Sequence, residues 1–194
     1  VVVEVKDENK KKDASFLFGA VKVPHKDGIT DYVFSSISED TEVLIDERIR
    51  FKGRLGFLRI KEGKVVYAFL SKGTLLEYKE GDYRYTLTSP LGCAKGKVTD
   101  FQKELNDNRF IDVEFDEKPA NLQGLVNRYI HIRPSGPWNA SYFIEGIEDL
   151  GNNRYRLVTN RTFVKERNEG GIYTYVFDVG ADFEIPLAVS YGQE

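Results

Sequence analysis

The sequence predicts an all-β protein, and three observations carry that prediction. Apolar and polar residues alternate at period two, as in "RFIDVEFD", which places alternate side chains on opposite faces of a strand. The aromatic content is thirteen Phe and eleven Tyr, residues that suit pleated, half-buried surfaces. Gly-containing turn signals recur at roughly the spacing of short antiparallel strands. No long segment keeps the i, i+3, i+4, i+7 stripe of an amphipathic helix, and only a short turn near residues 120–123 is expected. The expected fold is a set of antiparallel, sandwich-like β-sheets in two packed β units.

In the first unit, residues 1–88, strands are expected at 1–5, 15–23, 30–37, 42–47, 50–60, 64–70, 74–78 and 83–88. "IKEGKVV" places Glu62-Gly63 between two apolar runs, the two-residue hairpin pattern in which Gly supplies positive φ. "LSKGTLL" repeats it at Lys72-Gly73, and "YKEGDYR", "LGNNRY" and "NEGGIY" mark further turns. "KDENKKKD" reads as a solvated loop. "TSPLGCAKGK", residues 88–97, has Pro90, Gly92 and Gly96 and no alternating run, so the division is placed there. In the second unit, residues 96–194, strands are expected at 96–101, 109–116, 126–133, 140–148, 153–159, 161–167 and 172–178.

Composition narrows the function classes. The 28 Lys and Arg are interspersed with 31 Asp and Glu, for a net charge of −3, and Lys10-Lys11-Lys12 is flanked by acids. No basic block follows a phosphate backbone, so nucleic acid is not an expected partner. The apolar runs are far too short for a membrane-spanning helix, so no membrane partner is expected. The single cysteine, Cys93, excludes an internal disulfide and a thiolate metal centre, and reads as a small buried apolar residue. Low cysteine does not place the chain in the cytosol, because bacterial secreted proteins often lack disulfides. The chain opens on Val1 and has no Met, which points to a removed leader or a piece of something longer.

Catalytic motifs are absent. The two histidines, His25 and His131, fall in different proposed units, and no G-x-S-x-G, P-loop or dinucleotide fingerprint occurs. "GADFE" lacks calcium-loop spacing. Asp112, Glu114 and Asp116 share one strand face and read as solvated. The sequons at Asn139 and Asn160 matter only in a eukaryotic secretory pathway. No catalytic residue, metal or cofactor is expected.

Carbohydrate binding has physical content in "VNRYIHIRPSGPW". Alternation puts Asn127, Tyr129, His131 and Arg133 on one face, running into a loop that carries Trp138, the sole tryptophan. An aromatic-basic surface of this kind suits an anionic polysaccharide. Two placements are open for Trp138: an exposed platform held by Pro134, Gly136 and Pro137, or a core plug. Large aromatics fold small β domains more often than they bind ligands, which favours the plug.

"ASFLFGAVKVPHK" and "GRLGFLRIKEGKVVYAFLSKGTLLEY" together resemble the late β-sandwich strands of heparinase II/III-like polysaccharide lyases. "NRYIHIRPSGPWNASYFIEGIEDLGNNRYRLV" is similar to small β domains appended to such chains. The family's catalytic residues lie mainly upstream of these segments, so none is carried over. The resemblance implies a non-catalytic C-terminal β region, extracellular or periplasmic, that completes the fold of a lyase, contacts upstream domains of the same polypeptide and helps hold an anionic polysaccharide. A free-standing carbohydrate-binding module and a structural or adhesive β domain are the alternatives.

Overall fold

Residues 5–7, 17–167, 170–171 and 173–192 are described by the structure, a computed structural model. Most of the expected first strand and of the "KDENKKKD" loop, and part of "NEGGIY", lie outside the described residues. The described chain is almost entirely β. It has no α-helix and one 3₁₀ turn, Gln123–Leu125, slightly beyond the expected position. The chain divides into two compact units, residues 1–92 with 187–194, and residues 93–186.

The first unit is a two-sheet sandwich. One sheet contains β2 (Phe18–Pro24), β3 (Ile29–Ser36), β6 (Leu55–Lys61), β7 (Lys64–Ser71) and β18 (Ala188–Tyr191), in the order β18-β7-β6-β3-β2. The other contains β1 (Val5–Asp7), β4 (Val43–Ile45), β5 (Ile49–Lys52), β8 (Leu75–Glu80) and β9 (Tyr83–Thr88), in the order β1-β4-β5-β8-β9. Inward residues of both sheets form one core around Phe34, Phe51, Leu58, Leu70, Leu76 and Tyr78. The Phe34 and Phe51 rings meet across the sandwich at 4.8 Å. Gly56 makes room for them, since a Cβ there would lie 2.1 Å from the Phe34 ring.

Hairpins alternate between the two sheets: β2-β3 and β6-β7 lie in one, β4-β5 and β8-β9 in the other. The strand expected at 50–60 is two strands in different sheets, broken where Gly53 packs against Gly73. Lys72-Gly73 is a crossover rather than a hairpin, because β7 and β8 belong to different sheets. The backbone agrees: Glu62 and Gly63 both have positive φ, as a type I′ turn requires, whereas Lys72 has φ 46° and Gly73 is not in that region. Gly53, Gly73 and Gly92 crowd this corner. A Cβ on Gly73 would lie 2.6 Å from the Lys52 carbonyl.

The second unit is a closed barrel of β10 (Cys93–Phe101), β11 (Phe110–Phe115), β14 (Arg154–Thr159), β13 (Ser141–Gly151), β12 (Tyr129–Ile132) and β17 (Asp182–Pro186). A hairpin of β15 (Val164–Arg167) and β16 (Tyr173–Tyr175) accompanies it. Closure leaves no free sheet edge in the barrel. Gly96 permits a tight strand approach, since a Cβ there would lie 2.0 Å from the Glu114 carbonyl. β17 had no counterpart among the expected strands. β18 pairs with β7, so the last strand lies in the first unit's sheet.

Of the acidic face expected to be solvated on β11, Glu114 and Asp116 are exposed and Asp112 is not. Asp112 is only 3 % exposed and accepts two hydrogen bonds from Arg156, at 2.8 and 2.9 Å. The guanidinium also lies 3.9 Å from the centre of the Phe110 ring. A buried carboxylate needs such a partner, and Arg supplies two parallel donors.

Candidate functional site

The β12 surface forms with the expected alternation. Ile130 and Ile132 are buried in the barrel, while Tyr129 is 51 % exposed, His131 is half-buried and Arg133 is exposed. The Tyr129 and His131 rings lie near parallel, at 17°, with centroids 6.5 Å apart, and Tyr129 sits edge-on to Phe143. His131 Nδ1 lies 2.8 Å from Ser141 Oγ, which sets the ring's orientation. Asn127 precedes the strand in a left-handed conformation, φ 67°, and its backbone N–H donates to the Ile144 carbonyl. It therefore serves the turn into β12.

Trp138 is not the core plug. It is 45 % exposed, and its backbone N–H donates to the Gly136 carbonyl at 2.8 Å. A Cβ at Gly136 would lie 2.9 Å from the indole Nε1, so glycine lets the ring fold back over its own loop. The interior place is filled by Tyr142, Phe163 and Phe177, whose ring centroids lie 4.8 to 5.8 Å apart. Burial pushes the Tyr142 hydroxyl up to about 12.

His131 and Arg133 line a shallow depression of about 430 Å³ with Lys95, Asp116, Asp182 and Glu184. Trp138 and Tyr129 are not among its lining residues, so the five expected binding residues do not converge on one groove. Asp182 pairs with Lys97 and lies 3.9 Å from Arg133. Lys95, Arg133 and the Asp182 partner Lys97 only balance the three carboxylates, so this depression has no cationic excess for a polyanion.

A second surface was missed by sequence reasoning. The outward face of β6 and β7 carries Phe57, Arg59, Tyr67 and Phe69 around an open depression of about 500 Å³. Strand register places Phe57 opposite Phe69 and Arg59 opposite Tyr67. The Phe57 and Tyr67 rings meet edge-on at 5.7 Å, and the Arg59 guanidinium lies 5.8 Å from the Phe57 ring centre. Arg59 is held in place on β3: its Nε donates to Asp31 Oδ1 at 2.8 Å and its Nη2 to Asp31 Oδ2 at 2.9 Å. His25 Nε2 lies 2.8 Å from the same Oδ2. Arg59's hydrogen bonds, supported by His25, hold the Asp31 carboxyl below the usual carboxylate range against the opposing effect of burial. The signal was the outward-phase series Phe57, Arg59 and Lys61 beside Tyr67 and Phe69, in a hairpin read only for its Glu62-Gly63 turn. Among the described residues no group of three or more His, Cys, Asp or Glu is placed to hold a metal ion. No helix among them is long and apolar enough to cross a membrane.

No curated protein and no solved structure matches the chain. One family model does, over residues 3–88, less than half of the 194 residues. It is an ulvan-lyase model, so the coarser part of the expected kinship, a polysaccharide-lyase C-terminal region, is what it supports, and the heparinase II/III lineage is not what it names. The hairpin that displays Phe57, Arg59, Tyr67 and Phe69 thus falls within a segment similar to the endo-acting ulvan lyase C-terminal domain.

Proposed function

We propose that this chain is a non-catalytic C-terminal β region of an extracellular or periplasmic polysaccharide lyase, and that it holds the anionic polysaccharide on which the lyase acts. The observation that carries the reading is the match of residues 3–88 to a polysaccharide-lyase C-terminal domain, on a stretch whose described strands form all but one of those in the sandwich. Holding the polymer near a catalytic domain raises its effective concentration there without any new catalytic contact.

Affinity electrophoresis of the whole chain through gels containing ulvan, with dextran as the neutral control, tests the reading. Retardation by ulvan alone, with no rise in unsaturated-uronate absorbance on incubation, is the expected result. Equal mobility in both gels overturns binding, and uronate absorbance that persists through purification overturns the non-catalytic role.

A further inference from the structure

We infer that the binding site is the outward face of β6 and β7, with sugar rings packed on Phe57, Tyr67 and Phe69 and acidic substituents held by Arg59 and Lys61. The inference rests on the function proposed above and gives it a location. Neighbouring outward residues on one strand are about 7 Å apart, and facing residues on paired strands about 5 Å. The Phe57–Phe69 and Arg59–Tyr67 rows therefore make a patch with the footprint of one or two hexose rings. Sugar C–H faces match aromatic surface, and a sheet that leaves half-buried aromatic rings and the exposed Val21 and Val33 on one face is built to be covered.

Charge selects the occupant. Arg59 lies in the centre of the patch, and its bidentate pairing with Asp31 fixes the guanidinium so that little side-chain freedom is lost on binding. Lys61 is the next outward residue on β6 and lies opposite Lys64 across the hairpin, both exposed. Arg59, Lys61 and Lys64 outnumber Asp31 and the turn residue Glu62, so this edge of the face is net cationic, as a carboxylated or sulfated polymer requires and a neutral glucan does not. The depression at His131 and Arg133 has no such excess.

The test is affinity electrophoresis in ulvan gels with Phe57→Ala, Tyr67→Ala, Arg59→Lys and Lys61→Gln, beside Tyr129→Ala and Trp138→Ala. Near-UV circular dichroism confirms the fold of each. Phe57→Ala and Tyr67→Ala are expected to weaken retention about tenfold. Arg59→Lys keeps a charge for Asp31 but loses the planar fork, and should weaken it similarly. Lys61→Gln lies outside the core and should reduce the salt dependence of retention. Tyr129→Ala and Trp138→Ala should migrate as wild type. Folded first-unit variants that bind like wild type, or losses confined to Tyr129→Ala and Trp138→Ala, overturn this site while the function stands. An unretarded wild type overturns both. A wild-type dimer that Phe57→Ala dissociates assigns the face to a second copy of the chain and overturns the inference.

Discussion

A single methyl group at Gly56 would press into the Phe34 and Phe51 rings, at 2.1 and 2.9 Å. Both rings are fully buried, so neither has solvent to move into. Gly56→Ala should therefore cost about 1–3 kcal/mol in a urea melt, the usual range for overpacking. The second unit offers a paired comparison. Trp138→Ala should change stability by less than about 1 kcal/mol, whereas Tyr142→Ala should cost about 3–5 kcal/mol. Pro134, Gly136 and Pro137 marked the Trp138 loop in the sequence. What they did not show was whether the barrel needed that indole inside, because Phe163 and Phe177 arrive from distant segments to close around Tyr142.

Among the elements, the break between β5 and β6 is masked in the sequence, where Phe51, Leu55 and Phe57 keep one phase, and emerges only as a phase change in burial. Buried residues fall at odd positions in β5, Ile49 and Phe51, and at even positions in β6, Leu58 and Ile60. Continuous pleating cannot bury both sets on one face, so the strand must turn or change sheet. The β7 to β8 crossover had no such mark. Ala68, Leu70, Leu76 and Tyr78 keep one phase, and Lys72-Gly73 therefore read as a hairpin. Asp112 was equally opaque, since its partner Arg156 is 44 residues away and is delivered by the β11–β14 register. Arg156→Ala should cost about 3–5 kcal/mol in the same melt by leaving that carboxylate buried and unpaired. Asp31 makes a pH prediction. Its folded pKa lies below its unfolded value, so its contribution is complete above about pH 4 and is lost as pH falls through the lowered value. Thermal melts should show stability declining on acidification in that range, with Asp31→Asn making the decline shallower.

At the scale of the whole molecule, the all-β class was visible in period-two patterning, but the return of the chain was not. β18 runs along the edge of β7, and Tyr191 packs on Tyr85 at 5.3 Å, a pairing separated by almost the whole barrel in sequence. Ending the chain after residue 186 should raise hydrogen exchange at the β7 amides while those of β11 and β14 keep their protection. The candidate site was hidden for a related reason. The hairpin that carries Phe57, Arg59, Tyr67 and Phe69 was read for its Glu62-Gly63 turn alone, and the grouping of these four residues depends on cross-strand register. That grouping is open to direct observation by ¹H–¹⁵N NMR during titration with a short ulvan oligosaccharide. Saturable shifts centred on the amides of Phe57, Arg59, Tyr67 and Phe69 are the predicted result; shifts centred on residues 129–138, or no shifts at all, would contradict it.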